Sequence, residues 1–271
     1  MKKKHIGILV LMCFMISSCE YFNSGKEKES TPSETKTTKK EDSAKEEKTE
    51  EAEKEKVIEN TKPAFGIDIS SYQGNEIDAL EKDRDSIDFI ICKATQGATF
   101  IDPRFQQNWT TIKEKGFIRG AYHYYNSQDN PIHQAEFFIN TIKDIQPTDL
   151  PPVIDIEGGS VERGQSIDEI QLSLLTLLKE IESRLLVTPI IYTNTEFANE
   201  YLNNPELANF PLWIADYESK DSPILPNTWK EKGYVLWQKS DTYKILNYTN
   251  DEDYFNGDLE ALKAFIKNSR K

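Results

Sequence analysis

From Pro63 to the C-terminus, short apolar runs of β-type composition alternate with amphipathic helical patterns, and this alternation restricts the fold more than any other feature of the chain. The runs are AFGIDIS (64–70), IDFIICKAT (87–95), IRGAYHYY (118–125), PPVIDIE (151–157), PIIYTN (189–194), LWIADY (212–217) and YVLWQKS (234–240). Helical periodicity fills 103–115, 131–145, 166–186 and 195–203. The longest of these opens with Ser166, followed three residues later by Glu169, the pattern of a capping box. Strands separated by helices predict parallel pairing with crossovers. Seven such strands, with an eighth near residue 253, fit an α/β fold: a modified, irregular (β/α) barrel, TIM-like, forming a single catalytic domain over 63–271.

A barrel of this kind carries its chemistry at the C-terminal ends of its strands, and strand side chains alternate between two faces. In PPVIDIEGG (151–159), Asp155 and Glu157 therefore share one face while Ile154 and Ile156 take the other. The same parity pairs Asp68 with Ser70, Lys93 with Thr95, Tyr192 with Ile190, Asp216 with Ile214 and Gln238 with Leu236. Polar groups at the ends of these strands predict one acidic cleft with Tyr and Trp nearby, suited to a neutral, hydroxyl-rich glycan. Glycoside hydrolysis needs one carboxyl held protonated and a second that is ionised. A like charge nearby raises a carboxyl's pKa, so crowding is expected to keep Glu157 protonated, with an activity optimum below neutrality. Positions i and i+2 of a strand lie roughly 6–7 Å apart, between the separations typical of retaining and inverting enzymes. The residues alone therefore leave the stereochemical course open.

FGIDISSYQG, ICKATQG followed by DPRFQQNW, GAYHYY, PPVIDIE, IIYTN, LWIADY and DEDYFNG resemble, in content and order, the motifs of glycoside hydrolase family 25 over roughly 64–260. These are the Chalaropsis-type lysozymes, or N-acetylmuramidases. The resemblance implies a modified (β/α) barrel that cleaves the β-1,4 bond between N-acetylmuramic acid and N-acetylglucosamine in peptidoglycan. It also implies acids in D-x-S, D-x-E and C-terminal D-x-N-x-F patterns, which fall here on Asp68, on Asp155 with Glu157, and on Asp251. Glu157 matches the general acid. DEDYFNG departs from the last pattern, with Asp253 where Asn is expected, so either Asp251 or Asp253 is the C-terminal acid. The resemblance further suggests that the substrate's own 2-acetamido group attacks, oriented by Asp155. Substrate contacts are expected from Lys93, Gln96, Tyr124, Tyr192, Trp213, Asp216 and Gln238, and no metal or cofactor is expected. The competing readings are a glycosidase for other N-acetylated glycans such as chitin, and an inactive glycan-binding scaffold.

The first residues, MKKKHIGILVLMCFMISSC, combine a basic start with a short apolar run that ends in Ile16-Ser17-Ser18-Cys19. The run is too short for a comfortable membrane span, and its end resembles a bacterial lipobox. It predicts a signal peptide over 1–18, a lipid on Cys19, and export to a bacterial membrane, on its periplasmic or cell-surface face. Residues 20–62 carry ten Lys against thirteen Asp and Glu, with almost no apolar residues before Val57. Such a segment predicts a disordered tether with a span of roughly 35 Å. The chain's net charge of −13 thus falls on 63–271, which leaves no basic footprint for nucleic acid. Only Cys92 would remain beyond the lipidated position, as a buried free thiol without an intrachain disulfide. His123 and His133 are isolated and are expected to pack or lie on the surface. A monomer is expected.

Overall fold

The structure is a computed structural model that describes residues 62–271. The lipobox with Cys19 and the tether through residue 61 lie outside the described residues. The strands are β1 (Phe65–Ile69), β2 (Phe89–Gln96), β3 (Phe100–Ile101), β4 (Ile118–Tyr124), β5 (Val153–Asp155), β6 (Ile190–Asn194), β7 (Leu212–Ala215), β8 (Leu236–Ile245) and β9 (Tyr248–Phe255). Parallel pairing runs β1–β2–β4–β5–β6–β7–β8. β9 pairs antiparallel with both β8 and β1 and closes the barrel, while β3 flanks β2 at its edge. The expected barrel is therefore present, and its irregularity has a specific cause. The eighth barrel strand is the second arm of a hairpin, since only Leu246 and Asn247 separate β8 from β9 and no crossover helix fits there.

Helices Phe105–Glu114, Pro131–Thr141, Ile167–Leu185 and Thr195–Tyr201 fall within the predicted stretches. Glu76–Ala79, Lys82–Asp85 and Leu259–Asn268 are additional. The capping box predicted at Ser166 is not formed: the residue has the extended backbone of an N-cap, but its side chain makes no capping hydrogen bond. Asp168 and Glu169 lie in the first turn instead, where negative charge offsets the exposed amide dipoles.

Strand parity sorts the core into two layers. Phe89, Ile91, Val153, Ile190, Trp213 and Leu236 fill the barrel interior together with Leu262 and Ile266 of the last helix. Ile67, Ile90, Cys92, Ile154, Ile191 and Ile214 point outward and pack beneath the helices. Gly66 makes room for the interior layer, because a Cβ there would lie 2.3 Å from the Phe89 ring. Cys92 is buried and unpaired. His123 is buried as well, with Nδ1 2.7 Å from Thr95 Oγ1 and Nε2 3.2 Å from Gln134 Oε1.

Behind β4, Arg119 is almost fully buried. Its Nε donates to Asp149 at 3.0 Å, Nη1 to the Trp109 carbonyl at 3.2 Å and Nη2 to the Asp144 carbonyl at 3.0 Å. Its guanidinium also lies 3.7 Å from the centre of the Trp109 ring. Removing one partner of a buried ion pair leaves the other charge uncompensated. Arg119→Met is therefore expected to lower unfolding free energy by about 3–5 kcal/mol, measured by urea denaturation. A loss within the scatter of ordinary surface substitutions would show that Asp149 does not need its partner.

Candidate active site

The inward face of the barrel turns from apolar to polar near its C-terminal mouth. There Asp68, Tyr122, Asp155, Glu157, Tyr192, Trp213, Tyr217, Gln238 and Asp251 line one cavity. Register explains the convergence. Asp155 pairs with Tyr124 on one side and Tyr192 on the other, and Tyr192 pairs with Trp213. Parallel pairing keeps side chains of paired residues on the same face. Glu157 follows β5 with an extended backbone, so it remains on the Asp155 face as expected. Its amide donates to Ser160 Oγ at 3.1 Å, which starts the turn Gly158–Ser160. Gly159 is needed in that turn because a Cβ would lie 2.4 Å from the Tyr124 hydroxyl.

Gln238 organises the floor. Its Oε1 accepts the hydroxyls of Tyr192 and Tyr217, each at 2.7 Å. Two donors on the oxygen leave the amide nitrogen facing the other way, and Nε2 donates to Asp68 Oδ2 at 2.6 Å. Trp213 lies beneath, edge-on to Tyr192 with ring centroids 4.8 Å apart, and its Nε1 donates to Asp253 Oδ1 at 3.0 Å. Asp251 opens into the cavity, whereas Asp253, two residues on along the same face, is wholly buried below it. The structure thus brings both candidates for the C-terminal acid to Asp68, with Asp251 as the one that reaches the cavity.

Burial is the first cause of the proton affinities in this cluster. It raises Asp68 well above the ordinary carboxylate range, with Asp251 and Asp253 adding to the rise. It pushes Asp251 up to about 6. Asp155 is raised well above its ordinary value by burial and then by the Glu157 charge, against the opposing Lys93 ammonium. Glu157 is raised by burial too, less its interactions with Lys93 and the Tyr124 hydroxyl. Withdrawal from water is thus the larger cause for both, and the repulsion between Asp155 and Glu157 adds to it, so that the pair resists losing both protons.

Lys93, Gln96 and Tyr124 form the wall beside Glu157. Lys93 Nζ donates to Gln96 Oε1 at 2.8 Å and lies 4.9 Å from the Tyr124 ring centre. The expected pairing of Lys93 with Thr95 is corrected here. A bulge shifts the register, so that Lys93 is opposite Tyr122 but Thr95 is opposite His123. One extra residue in a strand re-aims the side chains beyond it, which sends Thr95 outward to His123 and brings Gln96 back beside Lys93.

Asp216 lines a groove continuous with Glu157, Tyr192 and Tyr217, but its expected inward facing is corrected. Ile214, on its face, belongs to the outer core, so Asp216 turns away from the barrel interior. Its carboxylate accepts from the amides of Glu218 and Ser219 at 3.2 Å, from Ile224 N at 2.8 Å and from Ser219 Oγ at 2.7 Å, holding the loop after β7. Those donors lower its pKa despite partial burial. Ser70 faces the mouth side but is spent locally, accepting from Tyr72 N at 3.2 Å. Two lining residues escaped the sequence reading. Tyr122 shares the face of Tyr124 and could have been found by parity, and Tyr217 shares the parity of Trp213 in the run LWIADY, although β7 itself ends at Ala215.

Residues 67–248 match the family described as Glycosyl hydrolases family 25. The protein YegX of Escherichia coli O6:H1 is 34% identical over 209 residues, an alignment spanning 74% of this chain and 72% of YegX. A bacterial lysozyme from Streptomyces coelicolor has a similar structure, with TM-score 0.69 and 27% identity, covering 77% of this chain and 99% of that one. A muramidase from Acremonium alcalophilum has TM-score 0.66 and 31% identity, covering 76% and 99%.

The electrostatics of the wall can be tested directly. The Lys93 ammonium favours the ionised forms of Asp155 and Glu157, so its removal favours their protonated forms. In Lys93→Met both carboxyls are expected to titrate at higher pH than in the wild type, observed by carbon-13 NMR of the side-chain carboxyls. Unchanged or lowered titration points would show that Lys93 does not act on the pair.

Proposed function

The chain belongs to glycosyl hydrolases family 25, and on that premise we propose that this glycoside hydrolase is a lysozyme-type muramidase. Its substrate is peptidoglycan, and the bond cleaved is the β-1,4 link between N-acetylmuramic acid and N-acetylglucosamine. The observation that carries this reading is the convergence of Asp68, Asp155, Glu157 and Asp251 on one open cavity. The likeness to a lysozyme and to a muramidase of the same fold supports it.

Glu157 is assigned the general acid. It is part exposed where Asp155 is enclosed, so it can reach a glycosidic oxygen at the mouth. Asp155 is assigned the positioning of the substrate's 2-acetamido group, whose carbonyl oxygen then attacks the anomeric carbon. Asp155 Oδ1 is buried without a hydrogen-bond partner, and an acetamido N–H is the donor it lacks. A donor favours the ionised form of the carboxyl that receives it. Substrate binding therefore favours ionised Asp155 and leaves the pair's proton for Glu157, which delivers it to the leaving oxygen. Tyr192, Tyr217 and Gln238 hold Asp68 in place behind this pair.

The N-terminal sequence supports a lipid on Cys19 and a place on a bacterial membrane, with residues 20–62 as the leash to the catalytic domain at 63–271. This is the reading that joins a secretory signal to a wall-cleaving enzyme. The protein is expected to work there as a monomer on glycan strands.

Glu157→Gln is expected to lower the release of soluble fragments from purified peptidoglycan by about 10²–10⁴-fold, with fold and glycan binding retained. The wild type should leave muramic acid at the new reducing ends and should not solubilise chitin. Near-wild-type activity in the variant would falsify the assignment of Glu157, and N-acetylglucosamine at the new reducing ends would replace the muramidase reading. Cys19→Ser is expected to move the protein from the membrane fraction to the soluble one without changing its rate on soluble glycan fragments. Retention in membranes after a carbonate wash would remove the lipid from the reading.

A further inference from the structure

Asp253 is the one carboxyl of the cluster that takes no part in lining the cavity, and it is fully buried. Its Oδ1 accepts the Trp213 indole N–H, while its Oδ2 is buried without a donor. Its neighbour is the Asp68 carboxyl, each acting on the other's proton affinity, and Asp68 already accepts from Gln238 Nε2. Backbone pairing fixes this placement, because Asp253 pairs with Gly66 of β1 on one side and Gln238 of β8 on the other. Two carboxylates cannot remain in buried contact when both are ionised, and one proton between them turns repulsion into a hydrogen bond.

We propose that Asp253 is a positioning residue that shares one proton with Asp68 and so holds the Asp68 carboxyl in the cleft from behind. The sequence pattern has an amide at this position, and the geometry explains what a carboxyl does in its stead. An amide would give Trp213 its acceptor and Asp68 a donor at any pH. A carboxyl offers the same pair only while the proton is present. The ionisable groups acting on Asp253 are Asp68 from β1, with Asp251 and Glu252 from its own strand. From β7 and β8 the packed groups are the neutral Trp213 and Gln238. Burial, Asp251 and Glu252 favour the protonated form, the hydrogen bonds with Trp213 and Asp68 oppose it, and the balance is a strongly raised pKa.

The test compares the wild type with Asp253→Asn in two measurements, and its kinetic arm rests on the muramidase reading. In the variant, Trp213 selects the amide oxygen as acceptor, and the amide nitrogen faces Asp68 without needing a proton. The Asp68–Asp251 contact is present in both proteins, and because Asp253 also acts on Asp68 the comparison reads the three carboxyls as one titrating unit. A carboxyl whose folded pKa is raised contributes stability that is complete below the unfolded value, about 4, and is lost as pH rises through the folded value. The Tm of the variant relative to the wild type is therefore expected to climb from about pH 4 upward and then level off. In the kinetic arm, the ratio of variant to wild-type peptidoglycan hydrolysis should rise toward alkaline pH, as the shared proton is lost from the wild type alone. A Tm difference that does not change with pH, or a variant less stable than wild type throughout, overturns the shared proton. A thermal effect with superimposable pH–rate profiles overturns the positioning role. An enzyme inactive on peptidoglycan would fail the muramidase reading, while the thermal arm would still decide on the proton.

Discussion

Five carboxyl groups share a barrel mouth from which most water is excluded, and the surrounding structure is arranged around their burial. Asp68, Asp155, Glu157, Asp251 and Asp253 all have their protonated forms favoured first by desolvation. Each is then given a different companion: an amide for Asp68, an indole for Asp253, a phenol and an ammonium for Glu157. Similar side chains thereby acquire different proton affinities, which acid catalysis requires of a carboxyl pair. Asp155, which lines the cavity, keeps one buried oxygen without a protein donor. That unmet hydrogen bond is where a substrate amide can act.

The companions are held as firmly as the acids. The two tyrosine hydroxyls on Gln238 settle the orientation of an amide that could otherwise turn end for end, and they do so from a strand and from a loop. Gly66 and Gly159 act by omission, leaving space for the Phe89 ring below the site and for the Tyr124 hydroxyl beside it.

Much of this was legible in the sequence because a strand has a period of two and a barrel has only one interior. Parity alone puts Asp68, Asp155, Glu157, Tyr192 and Gln238 on the inward face, and the structure brings all of them to one cavity. Parity misled where the strand is interrupted, and at Asp216 it held but was read from the wrong face, since Ile214 points outward. The bulge before Thr95 reverses its direction and recruits Gln96. Asp216 follows the last residue of β7, where loop amides capture its carboxylate. Parity also could not rank the acids, because rank depends on the depth of burial. The packing of Arg119 against Trp109 and Asp149 comes from tertiary contacts with no local signature.

The hairpin that closes the barrel also decides where the chain ends. Because β9 runs against its neighbours, its acids lie near the mouth and its last residues descend to the far side. There Ala64 N meets the Gly257 carbonyl at 2.9 Å. Lys271 N bonds the Leu186 carbonyl at 2.8 Å, just before β6 begins. Both termini of the described domain therefore sit at the pole opposite the cavity. A fusion partner or surface linkage attached at either end of the described domain pulls on the base, while a polymer as long as a glycan strand meets the domain at the other pole.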